Sequence, residues 1–133
     1  MAGIDVVSHQ IKPYENREKH FAIVAGGYAD PIFYQFTLAK LASSSANLDP
    51  VKGGKALCEA FGAYGWCEGT KEMLYIANHL ISRGINYFIP HAFTPTYGNE
   101  DCPPHFYGRG KNPAYEGYGL LFSYMHQTAK LFT

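Results

Sequence analysis

The residue best placed to do chemistry is Glu59. It sits in the run Ala56-Leu57-Cys58-Glu59-Ala60-Phe61-Gly62-Ala63-Tyr64-Gly65-Trp66. A carboxylate that ends an apolar run and opens into a Gly-rich aromatic loop is hard to account for as structure. Burying an unpaired charge costs several kcal/mol. The competing account is a buried Glu tied to a Lys or Arg of a neighbouring element. His9 and Gln10 end the first apolar run, and His91 lies near the end of the third. Imidazole and amide groups can hold a carboxylate in its charged form or bind hydroxyls. Satisfied polar groups at a sheet rim are the plainer account of them.

Aromatic residues follow the carboxylate. Tyr64 and Trp66 come five and seven residues after Glu59. Aromatic faces stack on the C–H faces of sugar rings, so this pair suits a subsite floor. Packing under the next helix is the alternative. Tyr28 follows Gly26-Gly27 in a loop. Asp101 and His105 lie in Asp101-Cys102-Pro103-Pro104-His105-Phe106, where the prolines would stiffen a loop reaching back over the rim. His9, His91, His105, Cys102 and Glu59 are ligand types that zinc accepts. They are scattered and form no HxH or HExxH motif, so neither a metal nor another cofactor is expected. Cys58 precedes Glu59 and should point to the opposite side of its strand.

These residues need elements to position them. Three apolar runs read as strands: 4–10, 55–61 and 85–93. A helix is expected over 31–47. Asp30-Pro31 is its start, Phe33, Phe36, Leu38, Leu41 and Leu48 are its apolar positions, and Asp49-Pro50 and Gly53-Gly54 its end. A second helix is expected over 68–83, with a stripe of Met73, Ile76, Ala77, Leu80 and Ile81 and a stop at Gly84. A last helix is expected over 112–132. The order strand, helix, strand, helix, strand predicts an α/β fold with a parallel sheet and right-handed crossovers. Polar residues arriving at the carboxyl ends of such strands mark the catalytic rim of barrel and open α/β enzymes. The loops 14–20 and 94–111 are long. The second carries Tyr97, Phe106 and Tyr107, which argues for a functional loop.

Composition narrows the partners. The chain has 133 residues, enough for a single domain spanning 1–133 with a real core. Its aromatic share of 16% exceeds what a small core needs. Formal net charge is zero, with no Lys/Arg run, so neither nucleic acid nor an anionic membrane is an expected partner. No stretch approaches the roughly 20 apolar residues of a membrane span. Residues 1–7 show no basic segment followed by an apolar one, so no secretory signal is visible there. Three cysteines, Cys58, Cys67 and Cys102, are an odd number at spacings unlike a zinc site, and are read as reduced thiols.

The runs Gly3-Ile4-Asp5-Val6-Val7-Ser8-His9-Gln10, Cys58 to Trp66 as quoted above, and Gly84-Ile85-Asn86-Tyr87-Phe88-Ile89-Pro90-His91-Ala92-Phe93 resemble bacterial TIM-barrel glycoside hydrolases. The likeness is to the family 2 type and the α-L-rhamnosidase-like type. Asp101 to Phe106 resembles the loop such proteins carry after their last strand. The resemblance spans nearly the whole chain but only the end of a typical family member. It implies a partial (β/α)8 barrel in which the three strands are the sixth, seventh and eighth. A closed barrel has eight strands and typically about 250 residues, so a fragment is expected. A small three-stranded α/β domain is the other possibility. The resemblance also places the family's catalytic Glu on Glu59. Ala60-Phe61 separates it from Gly62, unlike the tighter Glu-aromatic-Gly pattern, so nucleophile and general base both stay open. The acid/base Glu of the fourth strand lies outside this chain.

Glycoside hydrolysis uses two carboxylates, separated by roughly 5 Å or 6.5–9.5 Å according to stereochemistry. The expectation is therefore hydrolysis of O-glycosidic bonds in a plant or host oligosaccharide or polysaccharide. Glu59 would act, His9, Gln10 and His91 would orient it and hold hydroxyls, and Trp66 would stack on the sugar. Tyr28, Tyr64, Asp101 and His105 complete the expected substrate contacts. No second carboxylate is read at a strand end: Glu68, Glu72 and Glu116 are assigned to helices, and Glu100 and Asp101 to a loop. The chain alone is then a poor catalyst, needing the remainder of the barrel upstream or in a second chain. Two rivals are a metal-dependent barrel hydrolase using His9, His91 and His105, and a non-catalytic carbohydrate-binding remnant.

Overall fold

The structure is a computed structural model. It describes residues 2–5, 33–62, 64, 66, 68–93, 104–107, 110 and 112–132. Strands β1 (Ala2–Asp5), β2 (Ala56–Ala60) and β3 (Tyr87–Pro90) form one sheet in the order β1-β2-β3. Both pairings are parallel. Helix α1 is Leu38–Leu48, entered through a π-helical turn, Phe33–Thr37. Helix α2 is Thr70–Ile81, and α3 is Tyr115–Ala129, followed by a 3-10 turn, Lys130–Phe132. The strand and helix alternation expected from the sequence is therefore present. The positions 6–10, which hold His9 and Gln10, lie outside the described residues, as do the loop 14–20 and the start signal Asp30-Pro31.

The elements end where their residues require. Asp49 accepts from the Val51 N–H at 3.0 Å and opens the short turn Pro50–Lys52. Gly53 and Gly54 then take the left-handed backbone that lets the chain reverse into β2. Asn86 clamps that entry. Its amide donates to the Gly54 carbonyl and accepts from the Ala56 N–H, both at 2.9 Å.

The core lies between the sheet and the helices. Ala56, Cys58 and Ala60 alternate into it from β2. They meet Met73, Ile76, Ala77 and Leu80 of α2, and Ala39, Ala42 and Ala46 of α1. The stripe expected on α2 is buried at all five positions, Ile81 included. The stripe expected on α1 is not. Phe33, Phe36, Leu41 and Leu48 are exposed and of the expected positions only Leu38 packs, partly buried, against the core, while Ala39, Ala42, Ser43 and Ala46 are buried. Those four fall at i, i+3, i+4 and i+7, which is also a helix face. Small side chains win there because the approach is close: a Cβ on Gly84 would lie 2.9 Å from the Ser43 Cβ. Larger residues would hold the helix off, so the bulky positions turn outward.

Phe106 anchors the other end of the core. It is fully buried and makes edge-on contacts with Phe61, Phe93, Tyr118 and Phe122, at centroid distances of 6.3, 5.2, 5.0 and 5.4 Å. Among the described residues no helix is long and apolar enough to cross a membrane.

Candidate functional site

Residue 59 follows from strand alternation. With Ala56, Cys58 and Ala60 turned to the helices, Leu57 and Glu59 fall on the opposite face. Leu57 and Glu59 are only partly buried there. Glu59 is partly exposed near the carboxyl end of the central strand. In register it stands between Asp5 of β1 and Ile89 of β3. Tyr87 and Ile89, on the same side of the sheet by register, are exposed. Glu59 makes no ion pair with a Lys or Arg among the described residues. The account that ties it to a buried cation therefore has no partner there. Cys58 is buried on the helix side, opposite Glu59, as strand alternation requires.

The residues just beyond the strands form the rim. The His91 N–H donates to the Ala60 carbonyl at 2.8 Å, which carries the β2–β3 ladder one step past β3. Phe61 leaves β2 with φ at 79°, an uncommon conformation for a bulky residue, and is held there by complete burial. Gly62 follows, and a Cβ on it would come within 3.1 Å of the His91 ring. The bare glycine lets the imidazole close over the end of β2.

The segment 104–107 returns to the same rim. Ala92 donates to the Pro104 carbonyl at 3.1 Å, and Phe106 donates to the Ala92 carbonyl at 3.0 Å. This pattern lays the segment parallel beside the end of β3, on the side away from β2. Asn112 secures it, donating to the His105 carbonyl at 2.9 Å while accepting from the Ala114 N–H at 2.9 Å. His105 is thereby fully buried, with its ring 5.2 Å from that of Trp66. The loop is expected from its sequence to reach over the rim; its described part, 104–107, lies beside the end of β3, and the His105 imidazole is buried against Trp66 and not open to solvent. Trp66 itself is 48% exposed. Tyr64 is partly buried and packs against the hydrophobic core, the alternative weighed for it from the sequence.

Glu59, His91, Trp66 and His105 thus share the carboxyl end of the sheet. His9, Gln10, Tyr28 and Asp101 lie outside the described residues. Among the described residues no three His, Cys, Asp or Glu side chains converge as metal ligands. A pocket of about 380 Å³ lies elsewhere, between β3 and α3, lined by Tyr87, Phe88, Phe122 and Met125 among others. It contains none of the candidate residues.

One acidic residue has a different place from that expected. Glu68 does not belong to α2. It precedes Gly69, the residue that caps the helix. The capping carboxylate is Glu72, which accepts from the Gly69 N–H at 2.9 Å. Glu68 is 6% exposed, and neither carboxyl oxygen has a hydrogen-bond partner among the described residues. Burial, reinforced by the charge of Glu72, pushes its carboxyl up to about 8. A sequence signal for this exists. Glu72 stands three residues after Gly69, the capping-box spacing, and so leaves Glu68 without a helix-end role.

Comparisons of the chain with protein-family models, with curated proteins and with solved structures find no match.

Proposed function

We propose that this chain is the C-terminal part of a (β/α)8-barrel glycoside hydrolase, with Glu59 as a catalytic carboxylate. β1, β2 and β3 would be the sixth, seventh and eighth strands. The observation that carries the reading is the placement of Glu59. It stands near the carboxyl end of the middle strand of a parallel sheet, on the face away from the helices. In a barrel that face is the interior, and the carboxyl ends of the strands form the catalytic mouth. The sequential strand order supports the same arrangement, because neighbours in a barrel are consecutive in the chain.

The chemistry would divide as follows. Glu59 attacks the anomeric carbon, or deprotonates the attacking water if the enzyme inverts. A second carboxyl group from the remainder of the barrel protonates the leaving oxygen. His91 helps position the substrate and Glu59. Trp66, half exposed on its His105 support, offers a flat face to a sugar ring.

The test is product release from a panel of aryl glycosides and oligosaccharides, using the chain together with the rest of its barrel. The proposal expects hydrolysis of at least one member, with Glu59→Gln lowering turnover by at least about 10³-fold and leaving sugar binding largely intact. Binding with no hydrolysis anywhere in the panel would favour the carbohydrate-binding remnant. Hydrolysis abolished by a chelator and restored by zinc would favour the metal-dependent rival.

A further inference from the structure

Trp66 is half exposed, so full enclosure does not fix the angle of its ring. A side chain that presents one face to a ligand needs its rotamer locked by what packs against it. The fully buried His105 packs there, with the two rings 5.2 Å apart and tilted by 56°. His105 lies in the 104–107 segment, which is tied to the end of β3 through the Pro104 carbonyl and the Phe106 N–H. Residue 105 stands between those two bonds, and its own buried carbonyl needs a partner elsewhere. The Asn112 side chain supplies it at 2.9 Å. That amide is engaged at both ends. Its Nδ2 also lies 3.4 Å from the Tyr118 hydroxyl, and its Oδ1 accepts from the Ala114 N–H at 2.9 Å. The Tyr118 ring meets Phe106 at 5.0 Å. Asn112 therefore joins the start of α3 to the backbone of the residue that packs against Trp66.

We propose that Asn112 is a positioning residue for Trp66: by holding the His105 backbone it sets the buried imidazole against which the half-exposed indole rests. The chemistry of the position calls for an amide, which donates at one atom and accepts at the other. An Asp at 112 would still accept from the Ala114 N–H. Its second oxygen would face the His105 carbonyl, two acceptors with no proton between them. A Ser would also accept from the Ala114 N–H, but its hydroxyl is too short to reach the His105 carbonyl as well. Either change leaves a buried carbonyl without its donor, and the 104–107 segment must shift to hydrate it. The imidazole then moves with its own backbone, and the indole loses the surface it packs on.

The consequence for substrate rests on the reading of Trp66 as a sugar platform, but the positioning role can be tested without any sugar. The chain has a single tryptophan, so indole emission reports position 66 alone. The experiment is acrylamide quenching of that emission in the 133-residue chain, with far-ultraviolet circular dichroism recorded alongside. Asn112→Asp should raise the quenching constant by up to about twofold, because the folded state leaves only 48% of the residue exposed, and helix content should stay constant. Asn112→Ser, which adds no charge, should show the same rise. His105→Leu, which removes the ring and keeps the backbone bond, should show it too. Leu121→Ala removes a buried side chain of α3 that takes no part in these bonds. It should lower the urea midpoint and leave quenching as in the wild type. Unchanged quenching in the Asn112 variants or in His105→Leu, or an equal rise in Leu121→Ala, would overturn the inference. Sugar affinity judges the platform separately. Unaltered affinity in Trp66→Ala would remove the platform reading and leave the positioning role standing.

Discussion

A glutamate lies at each side of the connection between β2 and α2, Glu59 near the end of the strand and Glu68 just before the Gly69 cap, and the two differ in exposure and in partners. Near the strand end, Glu59 is turned by alternation to the side opposite the buried Cys58 and keeps contact with solvent. At the helix end, Glu68 is sealed from water and has no hydrogen-bond partner among the described residues. Nine positions separate them. An accessible carboxylate can meet a substrate. A buried one stores an electrostatic cost that pH can release. Residue type alone distinguishes neither role, and the local backbone decides both.

The contrast is sharpened most by Glu68→Gln. The folded state holds the Glu68 proton up to about pH 8, against 4.5 for the ordinary side chain. Because the folded form binds the proton more tightly, stability is greatest below about pH 4.5. It falls as pH rises through the window to about 8, and is level above it. The loss across the window is about 3–5 kcal/mol. Glu68→Gln should remove this contribution, so that urea unfolding at pH 5 and at pH 8.5 differs by several kcal/mol less than in the wild type. Equal differences in the two proteins would place the burial cost elsewhere.

Gly62→Ala comes next. The added methyl meets the His91 ring at 3.1 Å, inside ordinary contact. A cost of about 1–2 kcal/mol in unfolding free energy is expected, with weaker substrate binding if His91 is displaced. An unchanged melting curve would show that the imidazole moves aside freely. Trp66→Ala should weaken oligosaccharide binding about tenfold by calorimetry while the fold persists. Wild-type affinity would remove the indole from the subsite. The smallest effect belongs to Leu48→Ala. This residue is 83% exposed at the end of α1, and its replacement should change stability by no more than about 0.5 kcal/mol. A larger loss would mean that the outward row of α1 is covered by another part of the protein.

Much of the scaffold was readable before the structure. Period-2 and period-3.6 patterns located β2, β3 and α2, and the Gly84 stop and the Asp49-Pro50 end fall where backbone chemistry puts them. The opposite facing of Cys58 and Glu59 followed from alternation alone. The misread face of α1 has a physical cause. Hydrophobicity favoured Phe36, Leu41 and Leu48, but the close approach at Ser43 and Gly84 admits only a small-residue face. Glu68 was missed for a related reason. Helix boundaries are soft by a residue or two, and at position 68 that margin separates an exposed first-turn acid from a buried loop acid. The sequence offers His105 as a substrate contact, but the residue is buried beside Trp66, and that placement depends on the parallel contact with Ala92. No local pattern announces such a contact.

The central claim is that the two glutamates differ in role, Glu59 proposed to meet substrate and Glu68 buried outside the chemistry. Turnover at pH 7 of Glu59→Ala and Glu68→Gln, assayed side by side with the complete barrel and with folding checked by circular dichroism, tests it most directly. The account predicts a loss of at least about 10³-fold in the first and near wild-type turnover in the second, because glutamine reproduces the neutral form of Glu68. Retained turnover in Glu59→Ala, or a collapse confined to Glu68→Gln, would contradict it.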